Sequence, residues 1–107
     1  MEAILHEEYH KRINEGLVLV DFWAPWCQPC VIMKETLGQL ESSFPEYMFY
    51  ELNCDENRDL IKELRILSVP TLRIYKEGNL IKEINGLQAK EALEKVLTIY
   101  GKKTTST

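Results

Sequence analysis

The sequence predicts one three-layer α/β domain, with helices on both faces of a central mixed sheet of four to five strands. Three observations predict it. Helical and strand patterns alternate along the chain, as when strands are joined through the helices that cover them. The run Leu17-Val18-Leu19-Val20-Asp21-Phe22-Trp23 is apolar but for one acid, which suits a strand covered on both faces. Near the carboxyl end, two apolar runs flank Lys76-Glu77-Gly78-Asn79, a hairpin signal that makes the sheet mixed.

Taken in order, Leu5, Tyr9 and Ile13 fall four apart and give a short amphipathic helix within residues 3–15, ending at Gly16. The Leu17–Trp23 strand stops at Ala24-Pro25. From Cys27 to about Phe44, apolar residues at 30, 33, 37, 40 and 44 mark a long helix. Met48–Leu52 is the second strand, and because a helix joins it to the first, the two should run parallel through a right-handed crossover. Asn57 is placed to cap a short helix with Leu60, Ile61 and Leu64 inside. Thr71–Tyr75 and Leu80–Ile84 are the hairpin strands, and Leu93, Val96, Leu97 and Tyr100 line a closing helix. Residues 101–107 hold no apolar side chain, so the expected division is a domain at 1–100 and a flexible tail at 101–107.

Composition narrows the function. Of 107 residues, 45% are apolar, enough for one modest core without staples. A net charge of −4 argues against nucleic acid or an anionic membrane as partner. No apolar run approaches the roughly 18 residues a membrane span needs. The amino terminus has neither a basic opening nor an apolar stretch, so a cytoplasmic location is expected. In that reducing setting, three cysteines are too few, and odd, for a disulfide scaffold.

Trp26-Cys27-Gln28-Pro29-Cys30 stands where the first strand hands over to the long helix. Two cysteines three apart in a first helical turn have Cα atoms roughly 5–6 Å apart, within disulfide range. At the N-cap, the Cys27 sulfur faces unpaired backbone N–H groups and the positive end of the helix, both of which favour the reactive thiolate. Pro29 offers no N–H, which leaves the Cys30 amide as the donor to that sulfur. Cys30, one turn further in, can resolve a mixed disulfide intramolecularly. Two plain core cysteines, or half of a zinc site, are the alternatives. Cys54 alone, with no nearby histidine, does not complete a zinc site.

The chain resembles the thioredoxin family. Asp21-Phe22-Trp23-Ala24-Pro25-Trp26-Cys27-Gln28-Pro29-Cys30 matches the family's active-site block at every position but Gln28, usually glycine. Val69-Pro70-Thr71 matches its cis-proline loop, and Lys76-Glu77-Gly78 and Asn85-Gly86 match its hairpin and the glycine before the last helix. The similarity runs from about residue 16 to 100. It implies the thioredoxin fold and a protein disulfide oxidoreductase that reduces substrate proteins by dithiol–disulfide exchange, without cofactor or metal. Cys27 would be the nucleophile, Cys30 the resolving thiol and Asp21 the buried acid that moves the Cys30 proton. Pro70, in cis, would face the pair and present the Val69 backbone to a substrate chain. Trp26, Gly86 and Leu87 would border the docking groove. Disulfide-containing proteins and an NADPH-dependent thioredoxin reductase would be the partners of a monomer. A thioredoxin-fold binding module or chaperone without turnover is the alternative, against which the retention of both cysteines, Pro70 and Asp21 speaks.

Four departures from the family pattern carry expectations. Glu51 stands where the family usually has a lysine, giving Asp21 a like-charge neighbour and a raised pKa. Glu35 replaces a kinking proline, so the long helix should be straighter. The family's extra amino-terminal strand is missing or very short. Cys54 is expected to be a small hydrophobe rather than a third redox centre. His6-Glu7-Glu8-Tyr9-His10 also fits the zinc-protease pattern H-E-x-x-H, but without a third ligand it is expected to be a chance match.

Overall fold

A computed structural model describes residues 1–102 of the chain. The elements run β1 (Glu2–Ala3), α1 (His6–Arg12), β2 (Leu17–Trp23), α2 (Gln28–Glu41), β3 (Tyr47–Asn53), a 3-10 turn (Cys54–Glu56), α3 (Arg58–Leu64), β4 (Thr71–Lys76), β5 (Asn79–Asn85) and α4 (Lys90–Lys102). They build a five-stranded sheet in the order β1-β3-β2-β4-β5. The first three strands are parallel, and β4 and β5 are antiparallel to their neighbours. The expected three layers and mixed sheet are present. The amino-terminal strand is two residues long and pairs with Tyr50 and Glu51 of β3.

Strand alternation decides what each layer holds. Val18, Val20 and Phe22 of β2 join Tyr50, Leu52 and Tyr75 in a core covered by Tyr9 of α1, Ile13 just after that helix, and Leu60 of α3. Leu17 and Leu19, with Phe49, Leu72 and Ile74, face the other way against Met33, Leu37 and Leu40 of α2 and Leu93 and Leu97 of α4. Met33, Leu37 and Leu40 are fully buried, and burying each contributes about 2 kcal/mol. A third, small cluster of Ala24, Cys27 and Cys30 caps the end of β2, with Trp23 and Val69 packed on it.

Several boundaries and contacts differ from expectation, each for a local reason. Leu5 is half exposed; the buried residue is Ile4, whose N–H donates to Glu51 O as β1 runs out. The Glu8 carboxylate accepts the Leu5 N–H (3.1 Å) and so starts α1. Asn57 precedes α3 but does not cap it. Its side chain instead accepts the His6 N–H (2.9 Å) and donates to Asn53 O (2.8 Å), tying α1 to the turn before α3. Helix α2 ends at Glu41, short of Phe44, and passes Glu35 unbroken. Glu77 and Gly78 both have positive φ, so the hairpin is closed by a two-residue turn of the kind that fits strand twist. Helix α4 continues through Gly101 and Lys102, two residues past the expected start of the tail; the remainder of that tail, 103–107, lies outside the described residues.

Candidate active site

The chain leaves β2, turns at Ala24-Pro25 and enters α2 with Cys27 at the N-cap, φ −95° and ψ 109°. Cys27 N–H donates to Ala24 O (3.2 Å), which closes the turn. Cys30 N–H donates to Cys27 Sγ (3.2 Å), the bond expected from the missing N–H of Pro29. Cys27 and Cys30 form a disulfide with Cα atoms 5.3 Å apart. Cys30 is the more deeply buried of the two, while Gln28 and Pro29 are exposed. Opening this bond leaves a sulfur anion at the positive end of a helix, already aimed at an amide donor. That arrangement favours the thiolate form of Cys27.

A second loop faces the pair. The Val69–Pro70 peptide is cis, Pro70 is buried, and Val69 packs on the cysteine cluster. Hydrogen bonds hold this loop in place: Thr71 Oγ1 donates to Ser68 O (2.7 Å), Asn85 Nδ2 donates to Thr71 Oγ1 (3.0 Å), and Gly86 N–H donates to Pro70 O (2.8 Å). Gly86 makes its bond with φ +89°, a conformation that strains any residue with a Cβ.

Asp21 of β2 is fully buried, and neither carboxylate oxygen has a hydrogen-bond partner. Strand alternation puts it on the α2 side of the sheet, directly beside Glu51 in the parallel β2–β3 register. Burial raises the Asp21 pKa to about 7; Lys34 opposes that rise and Glu51 adds to it. Lys34, one helical turn beyond Cys30, places Nζ 2.7 Å from Glu51 Oε1, an ion pair without hydrogen-bond alignment, and 3.6 Å from the centre of the Trp23 ring. A cavity of about 290 Å³ runs along this side, walled by Trp23, Ala24, Pro25, Cys30, Val31, Lys34 and Glu35. An acid with a pKa near neutrality can both accept and release a proton at pH 7.

Comparison with known proteins agrees with this geometry. The thioredoxin family model matches residues 1–99. The thioredoxin of Chlamydia pneumoniae is 35% identical over 97 residues, spanning 91% of this chain and 95% of that protein. The Bacillus subtilis thioredoxin is 32% identical over 92 residues, covering 85% and 88%. Among solved structures, Plasmodium falciparum thioredoxin superposes with a TM-score of 0.87 at 25% identity, covering 94% of this chain and 99% of that one. Oxidised mitochondrial thioredoxin 3 of Saccharomyces cerevisiae gives 0.83 at 31% identity, covering 92% and 93%. This chain belongs to the thioredoxin family. It is a thiol–disulfide oxidoreductase, and Cys27–Cys30 is its redox-active pair.

Within this thioredoxin-family site the structure packs Val69, on the amino side of the cis Pro70 bond, against Cys27 and Cys30, and sets Asp21 beside Glu51 in the β2–β3 register. Trp26 and Leu87 are exposed, and Trp26 Nε1 donates to Asp55 (3.4 Å). Sequence reasoning missed Lys34, whose spacing of four from Cys30 places it on the same helical face. It also missed Val31, Ile32 and Leu67, exposed apolar residues that adjoin the cysteine pair and the Val69–Pro70 loop in the chain. Cys54 is half-buried against the α1/α3 core, and burial, with Asp55 and Asp21 adding to it, pushes its thiol up to about 12. Few thiolates form there at neutral pH.

Proposed function

We propose that this protein reduces disulfide bonds in substrate proteins, with Cys27 as nucleophile, Cys30 as resolving thiol and Asp21 as the proton carrier for Cys30. The Cys27 thiolate attacks one substrate sulfur, forming a mixed disulfide and releasing the other sulfur, which takes up a proton. Asp21 accepts the Cys30 proton, and the Cys30 thiolate attacks Cys27 Sγ. The second substrate thiol leaves, and two electrons have passed to the substrate as the Cys27–Cys30 disulfide closes. A dithiol reductant reopens it; an NADPH-dependent reductase is the proposed physiological donor, in a cytoplasmic setting. Trp26 and Leu87 are exposed apolar side chains that suit the docking of a peptide segment, which Gly86 and the Val69 backbone would border in this reading.

The observation that carries this reading is the Cys30 N–H donated to Cys27 Sγ at the α2 N-terminus. It distinguishes the two cysteines by role, because the electrostatic support falls on Cys27. The test is insulin reduction with dithiothreitol, together with alkylation by iodoacetamide near neutral pH. Cys27 should be labelled first, and Cys30→Ser should retain substrates as mixed disulfides through Cys27. Labelling of Cys30 ahead of Cys27 would reverse the roles.

A further inference from the structure

One side-chain cluster belongs neither to a core nor to the redox pair. His6 and His10 stand one turn apart on α1, and Glu63 meets them from α3. His10 Nε2 is 3.2 Å from Glu63 Oε2, and His6 Nε2 is 4.0 Å from Glu63 Oε1. One potential ligand atom from each of the three lies within 4.8 Å of the others. Around a tetrahedral zinc ion, bonds of about 2.0–2.2 Å set the ligand atoms roughly 3.3–3.5 Å apart. A contraction of about 1.5 Å at most therefore closes the cluster on an ion. These side chains are 42% (His6), 58% (His10) and 53% (Glu63) exposed, so they have room to rotate that far.

The frame behind them is already fixed. The His6 N–H is bound to Asn57 Oδ1 at the entrance to α3, so the two helices are tied where the site begins. The His10 ring stands edge-on to the buried Tyr9 ring, with centroids 5.2 Å apart and planes at 84°. Glu63 supplies the third ligand that the local His-x-x-x-His spacing lacked. Imidazole nitrogens with one carboxylate form a donor set suited to zinc, nickel and copper rather than to calcium or magnesium.

We propose that His6, His10 and Glu63 form a site for a divalent transition-metal cation of the zinc class, which clamps α1 to α3. Two neutral imidazoles and one carboxylate leave the bound ion with a net charge of +1, and water completes its coordination. The site lies in the layer opposite α2, so it fills independently of the cysteine pair.

The test is calorimetric titration of ZnCl₂ into the full chain carrying Cys54→Ser, with Cys27–Cys30 oxidised so that no thiol competes. The parent should bind one equivalent and melt at a higher temperature with zinc than without. His10→Ala and Glu63→Gln should each weaken binding by at least about tenfold and remove the zinc-dependent rise in melting temperature. Both positions are exposed, and circular dichroism checks that each variant is folded; His6→Ala repeats the test from the third ligand. Absence of binding at millimolar zinc, or equal binding by parent and folded variants, overturns the site and leaves Glu63 an ordinary ion-pair partner of the histidines.

Discussion

Two charged side chains are buried in this sheet, on adjacent strands and opposite faces, and they are treated in opposite ways. Arg73 of β4, on the α1/α3 side, is fully engaged. It donates to Glu83 (2.7 Å), to the Tyr75 hydroxyl (3.1 Å) and to Leu64 O (2.7 Å), and Tyr75 passes the network on to the Tyr9 hydroxyl. Asp21 of β2, on the α2 side, has no hydrogen bond at all. A buried charge held through all three of its nitrogens joins elements together, here α3, β4 and β5. A buried acid left unsatisfied costs stability, and its cost is reflected in a pKa shifted towards the working pH. The Arg73 side is built to hold. The Asp21 side keeps an unsatisfied acid whose burial raises its pKa to about 7.

The largest effects should separate those two roles. Arg73→Met is expected to lose about 3 kcal/mol of stability by removing the donor to Leu64 O and the cation beside Glu83, while leaving the exchange rate per folded molecule unchanged. Urea denaturation and insulin reduction read the two quantities separately. Slowed exchange in a folded Arg73→Met protein would erase the contrast.

Asp21→Asn should do the reverse. An unfolded aspartate titrates near pH 3.9 and the folded one near 7, so between those values the folded state holds more protons. Stability contributed by this group therefore falls as pH rises from about 4 to about 7. Asparagine escapes that loss and should be more stable than the parent at pH 8, by up to about 4 kcal/mol. Disulfide exchange should slow about tenfold near neutrality, and its acidic inflection near pH 7 should disappear. An unchanged pH–rate profile would make Asp21 a purely structural residue.

Smaller shifts sharpen the account of Asp21. Lys34→Gln removes the cation that opposes the rise and should move the inflection up. Glu51→Gln removes the like charge and should move it down by less. Each shift is expected to be at most about one unit, read by NMR titration of the carboxyl. Movement in the same direction for both would show that packing, not charge, sets the value. The smallest effect concerns exposed Gln28. Glycine there costs up to about 1 kcal/mol of helix propensity and removes the residue's side-chain amide donor beside Cys27 in the chain, so Gln28→Gly should lower the redox potential by at most about 30 mV. Glutathione equilibration measures it, and a rise in potential would contradict that role.

The same contrast explains what could be read from sequence. The Cys27–Cys30 pair, the loop at Val69-Pro70 and the acid inside the apolar β2 run are local signals, carried by adjacent residues. The layers follow from periodicity. Lys34 was illegible as a partner of Asp21 because its relevance depends on a register: β3 must place Glu51 beside Asp21 and beneath α2 before the lysine has anything to pair with. Glu63 escaped notice for the same reason, since only packing of α3 beside α1 brings it to the histidines. The exchange of Leu5 for Ile4 in the core arises from β1, two residues with no apolar alternation to betray a strand. Asn57 shows a further limit: a good capping residue was claimed by a longer-range partner.

The small cluster of Ala24, Cys27 and Cys30 stands apart from both large cores. Opening or closing its disulfide should therefore disturb a few side chains at one end of the sheet and leave the helical layers in register. The two oxidation states then share one silhouette. A disulfide-bearing client that prefers one of them would have to sense the sulfurs themselves, and the handover of electrons would become its own signal for release.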